Sequence, residues 1–591
     1  MKRRKKNSGT PKGKRKLPAG LISLLVTVVV GAIYFYVMLP ALNFQALDFY
    51  VFLAMLCVVY LLSHAILSVG QGGGSKDDYE EYREPLFVAQ GLGRYRFNPK
   101  GFQQRFFHPR ASKSGWKRIP ALLLGLIVAV VVIGIVISLP IFHAKSYYSL
   151  LDVQNGDFAT DVSEVSYKKI PMLDRDSAVQ LGRRALGEIS TNSNLVSQFE
   201  VSDEYAQINY QEQPVRVSPL EYGNLIKWFN NRDEGIPAYV VVNMVTQEAQ
   251  LVQLDEGMKY MTCEHFGRNL YRYLRFNYPT YLFGDVNFEI DDDGNPWWIC
   301  SREVRTIGLF GGVDVKGAVM VNAVTGEHQY YEEVPNWVDR VYSADLLVEQ
   351  YNYRGKFVSG WINSWLGQKG VTMTTDGYNY IAMHDDVYMY TGVTSAGSDE
   401  SNVGFILVNQ RTKEASYYNV TGAEEYSAMS SAEGAVQHLN YRSTFPILLN
   451  ISDQPTYFMA LKDSAQLVKM YAMVNVSDYQ ITATGNTVAA CQSAYEQMLM
   501  DNGITVNTPV EEDLAETKTV SGRLAEMRSA VMDGNTVYYL TLEGNTKTWY
   551  TISAATAPNV VILNVGDQVT ITYEVPEAGA ESAILTAKDV Q

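Results

Sequence analysis

The chain has 591 residues, 47% hydrophobic and 19% charged, which excludes bulk disorder and exceeds the length of one ordinary domain. Its net charge of −14 is split unevenly: residues 1–142 carry 19 basic and 6 acidic groups, whereas 143–591 carry 30 basic and 57 acidic. A net +13 segment joined to a net −27 segment is not one soluble domain, and the acidic part excludes electrostatic capture of phosphate-rich partners.

The first sixteen residues hold nine basic groups and no acidic one. Three apolar runs then match the roughly 20 residues a membrane helix needs. Two of them form a hairpin over 17–68, with Gly31, Pro40 and Asp48 in or near the connection, and the third spans 119–142. The basic flanks 1–16 and 69–118 place both on the cytoplasmic side, so everything after about His143 lies outside. A signal peptide is the alternative for the N-terminus; the second apolar run and the lack of a small-residue cleavage site favour a retained helix. The basic tail reads as a topology determinant resting on anionic lipid rather than a nucleic-acid site, and GQGGGS lacks the strand and Gly-Lys-Ser/Thr of a phosphate loop.

Beyond the third run one phrase recurs: Val242-Asn243 with Thr246 and Glu248, Val321-Asn322 with Thr325 and Glu327, and Val408-Asn409 with Thr412 and Glu414. Alternating, β-branched runs on both sides make each a hairpin. The Asn and Thr are placed to hydrogen-bond the turn, and Gln247, Gly326 and Lys413 fill the left-handed position. Val474-Asn475 is a degenerate fourth copy. Helical spacing precedes each copy, at Asp174–Ile189, Cys263–Phe276, 341–353 and 431–441.

A helix followed by strands and closed by such a hairpin resembles the PepSY class of extracytoplasmic modules and, more broadly, cystatin-like α+β units, over about 160–480 and best at Met320–Glu327. The resemblance implies a binding or inhibitory module at the cell envelope and transfers no catalytic residue. Past a linker at 503–516, five short strands with a Val-Gly-Asp corner at 565–567 resemble a small OB-like barrel. The expected fold is three N-terminal transmembrane helices, an α+β ectodomain of about four tandem helix-on-antiparallel-sheet units (143–255, 256–335, 336–422 and 423–502), and a C-terminal all-β OB-like barrel over 517–591.

The sequence contains no HExxH, G-x-S-x-G, P-loop or CxxC. Glu289, Asp291, Asp293 and Gly294 have the opening spacing of a calcium loop, but position twelve is Cys300, so a solvated turn is expected. His384-Asp385-Asp386 reads as a polar hairpin tip. Cys263 and Cys300 are a candidate disulfide in an oxidising exterior, and Trp337, Trp361 and Trp365 a candidate aromatic patch for a partner. No catalytic, metal or cofactor residue is expected. The functional expectation is a non-catalytic, multi-pass plasma-membrane protein, N-terminus cytoplasmic, whose extracellular domain binds or scaffolds in a bacterial cell envelope. Its partners would be the lipid bilayer and another envelope protein or cell-wall polymer, with no nucleic acid; the residues do not encode an oligomeric state. The alternatives are an envelope hydrolase with acidic and tyrosine groups between repeats, and a PepSY-like regulator of a membrane peptidase.

Overall fold

A computed structural model describes residues 19–70, 87–89, 95–97, 118–164, 170–188, 193–383, 385–395, 401–506, 517–532, 535–553, 557–574 and 584–590. The basic tail, most of the 69–118 loop and His384 lie outside these residues. The chain divides into two bodies, Met1–Val506 and Asn507–Gln591.

Three helices are long and apolar enough to cross a membrane: α1 (Ala19–Met38), α2 (Leu47–Gly70) and α3 (Arg118–Ile137). Their large aliphatic side chains, Leu25, Val28 and Leu122 among them, are exposed, as lipid-facing groups are. What α1 buries is small: Gly20, Ser23, Thr27 and Gly31 form one stripe. A Cβ on Gly31 would meet Leu56 of α2 at 2.6 Å, so the small residue permits the close approach that membrane helices use in place of hydrophobic association.

The turn between α1 and α2 is fastened to the domain that follows. Leu42 N–H donates to Pro279 O at 2.7 Å, Asn43 Nδ2 to Thr280 O at 2.8 Å, and Gln45 Nε2 to Arg305 O at 2.9 Å. Arg275 Nε donates to Leu39 O at 3.0 Å, and Asp48 accepts from Ala41 N–H inside the turn. At the end of α3, Ser138 Oγ accepts from the backbone N–H groups of Leu309 and Phe310, both at 3.0 Å. The Phe310 ring meets Tyr50 of α2 edge-on at 5.7 Å.

Four sheets follow. The first runs Phe199–Val201, Gln213–Tyr222, Ile236–Asn243, Ala249–Met258, with Ala206–Tyr210 also on the second of these strands. The second runs Leu282–Ile290, Pro296–Ile307, Gly311–Asn322, His328–Tyr331. The third is built on Asp386–Ser395, Ser401–Asn409 and Ala415–Tyr418, the fourth on Gln454–Lys462, Val468–Asn475 and Thr482–Gly485. One large core joins the first and second sheets around Trp298, Tyr239 and Leu270; another joins the third and fourth around Tyr390, Phe405, Tyr457 and Phe458.

The recurring phrase has one atomic plan. Asn243 Oδ1 accepts from the N–H of Val245 and Thr246, Asn322 from Val324 and Thr325, and Asn409 from Arg411 and Thr412. The Thr hydroxyls accept from Glu248, Glu327 and Glu414. Gln247, Gly326 and Lys413 stand at φ 61°, 76° and 69°. The residue after each Asn also binds backward and forward. Met244, Ala323, Gln410 and Val476 donate to Pro214, Pro296, Val387 and Pro455, while their carbonyls accept from Met172, Lys259 and Tyr260, Val341 and Tyr342, and Ala423. Thus all four turns, the degenerate one included, hold the segment that leads into a helix.

Those helices are α5 (Arg175–Glu188), α7 (Leu270–Asn277), α8 (Ala344–Lys356) and α9 (Glu425–Ala435). The fourth begins earlier than its apolar spacing predicts, because Ala428 and Ala432 provide the buried face. Among the helices not expected are α4 (Pro140–Tyr148), directly after α3, and α6 (Leu225–Asn231), capped by Asn224. A last helix, α10 (Val488–Asp501), capped by Thr487, packs on the fourth sheet. The stretch after α4 also departs from the expected boundary. Val153–Gly156 pairs in parallel with Ala415–Tyr418 of the third sheet, and Glu164 bridges to Asn450 of the fourth.

The second body is a closed barrel of five strands in the order Thr517–Met532, Asn535–Leu542, Asn545–Ser553, Ile584–Val590, Gln568–Glu574. Leu524, Leu540, Tyr550, Val569 and Ile571 fill it. Its corner places Gly566 at φ 99°, and Asp567 accepts from Asn564 N–H.

Candidate functional site

The cysteines do not pair. Cys263 and Cys300 are free thiols, as are Cys57 and Cys491. Cys300 lies fully inside the core of the first and second sheets, with its Sγ toward Trp298 O; burial raises its pKa and pushes that of Cys263 up to about 12. The tryptophans divide between clusters. Trp337 packs on Trp297 at 6.1 Å beneath the second sheet, whereas Trp361 stacks on Trp365 at 6.3 Å beside Tyr147 and Phe357. Of the three, Trp365 is the exposed one, at 70%.

The calcium-like spacing is a turn. Asp291 accepts from the backbone of Asp293 and Asn295 and from Trp297 Nε1, so its oxygens are engaged. Asp386 forms a two-point ion pair with Arg411, 2.6 and 2.7 Å, and Asp385 accepts from Asn209 at 3.3 Å. Among the described residues no group of three or more His, Cys, Asp or Glu is placed to hold a metal.

Glu289, fully buried, instead organises the seam between sheets. Its two oxygens accept from the backbone N–H groups of Asp339 and Arg340, at 2.9 and 3.0 Å. Asp339 accepts in turn from Asn209 N–H at 2.7 Å, while its other oxygen is buried with no hydrogen-bond partner. Removal from water dominates both groups: Glu289 is raised to about 7, and Asp339 is raised well above the carboxylate range by burial and by the Glu289 charge beside it.

This anchorage fixes Arg340 at a cavity of about 420 Å³ between the first, third and fourth sheets. Its deep cationic group is Arg216, on strand Gln213–Tyr222 and only 6% exposed. Arg216 Nη2 donates to Gln207 at 3.1 Å, but its buried Nε has no acceptor. Arg340 Nη2 donates to Tyr380 at 3.2 Å, and its Nε is likewise buried without an acceptor. Among the described residues neither guanidinium has a carboxylate within ion-pair distance. Burial lowers Arg216 to about 10, opposed by Tyr380 and Asp174 and reinforced by Arg340 and Arg175. The nearest acid is already matched: burial alone would raise Asp174, but hydrogen bonds from Lys462 and Ser177 outweigh it and hold the carboxyl below its ordinary value. The remaining walls mix polar groups, Asn379 and Thr444 among them, with apolar and aromatic ones, Met172, Tyr378, Phe445 and Phe458. The arrangement can hold an anion with an apolar body. None of these residues was singled out from sequence; the only signal was a lone Arg in an apolar strand, RVSPL.

No family model and no curated protein matches the chain. Among solved structures it is similar to a levansucrase variant from B. megaterium, with 9% identity and a TM-score of 0.17, covering 74% of this chain and 95% of that one. It is also similar to Bacillus subtilis levansucrase, with 6% identity and a TM-score of 0.15, covering 72% and 96%. At these scores the likeness carries neither a shared fold nor an activity.

Proposed function

We propose that this chain is a membrane-anchored extracytoplasmic binding or scaffolding protein of the cell envelope, its N-terminus cytoplasmic and its sheets outside. The observation that carries this reading is the fastening of the apolar helices, at Leu42, Asn43, Gln45 and Ser138, to Arg305 of the second sheet and to the loops beside its strands, at Pro279, Thr280 and Leu309. The anchor is thereby one piece with a body whose hairpin plan is repeated four times. That recurrence supports reading the body as tandem units of one PepSY-like or cystatin-like kind. The barrel's parallel closure between Asn545–Ser553 and Ile584–Val590 supports an OB-like reading. Binding is favoured over hydrolysis because the deep wall of the cavity is cationic and, of its two lining carboxyls, Asp174 is held by Lys462 while Asp176 stands at the exposed rim.

Asp233, whose side chain is 90% exposed, tests the orientation. In intact cells Asp233→Cys should react with a membrane-impermeant maleimide, and labelling only after permeabilisation would overturn the reading. Affinity capture of the full-length chain from membranes should retrieve an envelope protein or a wall polymer. Turnover of wall polymer by the purified chain would favour the hydrolase instead.

A further inference from the structure

We propose that the cavity between the first, third and fourth sheets binds a small organic carboxylate, its headgroup held by Arg216 and Arg340 and its aromatic or aliphatic body lying on Tyr378, Phe445 and Phe458. The proposal rests on the binding role above and names its ligand class.

Three observations converge. First, among the described residues neither Arg216 nor Arg340 has a carboxylate within ion-pair distance, Asp174 and Glu289 acting on them only from further away. Arg216, Arg340 and, at the exposed rim, Arg175 face a lining whose acids are Asp174, engaged by Lys462, and Asp176, exposed at the rim. A buried guanidinium with no carboxylate beside it is costly and persists where something supplies the missing charge. Second, Arg216 and Arg340 both line this cavity, and the Nε donor of each is buried without an acceptor. A carboxylate offers about four lone-pair sites and matches guanidinium donors in planar, paired geometry. Third, the volume of about 420 Å³ and the apolar walls suit a ligand with a substantial hydrophobic part. A polyanion does not suit it, because residues 143–506, which build the sheets around it, carry net −20.

The fold also prepares the site. Glu289 clamps the Asp339–Arg340 backbone, and the Met172 N–H to Met244 O bond sets the lip from which Asp174 and Arg175 emerge. Glu289 is therefore a positioning residue, and Arg216 and Arg340 are the groups that touch the ligand.

The test uses the full-length chain in detergent or nanodiscs, with phenylpropionate and indolepropionate, their primary amides, and inorganic phosphate as probes. The two acids should raise the unfolding midpoint and give saturable binding by titration calorimetry, whereas the amides should do neither. Arg340→Gln should weaken acid binding at least tenfold. Arg216→Met should abolish it while leaving the unliganded midpoint unchanged or higher, since a buried, unmatched cation has been removed; if that variant does not fold, Arg340→Gln decides. Equal responses to acid and amide, a response to phosphate alone, or undiminished acid binding in Arg340→Gln would overturn the proposal. Each of these failures leaves the envelope reading standing, because that reading is decided by labelling at Asp233→Cys.

Discussion

At Gly326 the recurring turn meets a demand its sister copies do not. All three left-handed positions have positive φ, yet Gln247 and Lys413 occupy theirs with ordinary side chains. What singles out Gly326 is Tyr260, whose ring atoms would lie 2.3–2.7 Å from an added Cβ. Gly326→Ala should therefore cost roughly 2 kcal/mol, combining backbone strain with overpacking, whereas Gly503→Ala, at φ 78° with nothing near its added Cβ, should cost only about 1 kcal/mol. Comparing thermal midpoints of the two variants in the solubilised chain checks this, and equal losses would refute the role of Tyr260. The turn itself was legible in the sequence, because Asn, Thr and a left-handed residue act within six positions of one another. The importance of Arg216 was not: a missing counter-charge is a property of three sheets, and nothing next to Arg216 in the chain states it.

Among the elements, α1 and α2 were legible from composition alone, but their attachment was not, since it runs through backbone carbonyls of Pro279, Thr280 and Arg305 that no side-chain pattern advertises. Arg275 is central to it, donating to Leu39 O and Tyr281 O from a site where burial lowers its pKa and Asp48 opposes that shift. A charged donor of this kind contributes about 1.5–3 kcal/mol. Arg275→Met should accordingly speed hydrogen exchange in Leu39–Ala46 by roughly tenfold or more, with exchange in the fourth sheet unchanged. Uniform acceleration across both would mean the variant had loosened the whole fold. The unexpected α6 shows the opposite limit of sequence reading. Its seven residues expose Leu225, Ile226 and Phe229 and bury only Trp228, whose Nε1 donates to Glu264 at 2.7 Å, so no amphipathic period marks it.

For the molecule as a whole, the Glu289–Asp339 seam makes stability depend on pH. Both groups have raised native pKa values, so the native state binds more protons than the unfolded chain above about pH 4.5. The Glu289 contribution is full below that value and is lost as pH rises through about 7, and that of Asp339 is lost in the same direction. Relative to Glu289→Gln, the native chain should lose up to about 3 kcal/mol between about pH 5 and pH 8, measured by denaturant unfolding at each pH. A constant difference between the two proteins would show that Glu289 is already ionised at the lower pH. The sequence's order of units also fails at this scale. The segment after the third span joins the third and fourth sheets rather than the first, because pairing with a distant strand edge outweighs proximity along the chain.

That same pairing sets a schedule for biogenesis. Val153–Gly156 emerges directly behind α4, but its partner, Ala415–Tyr418, is synthesised roughly 260 residues later. At about 5–20 residues per second, this strand waits tens of seconds with an open edge, a long-range closure of the kind that slows folding and exposes chains to mispairing. The third sheet is thus a late checkpoint on synthesis, since a chain cut short before Ala415 retains its membrane helices while leaving the strand beside them without its partner.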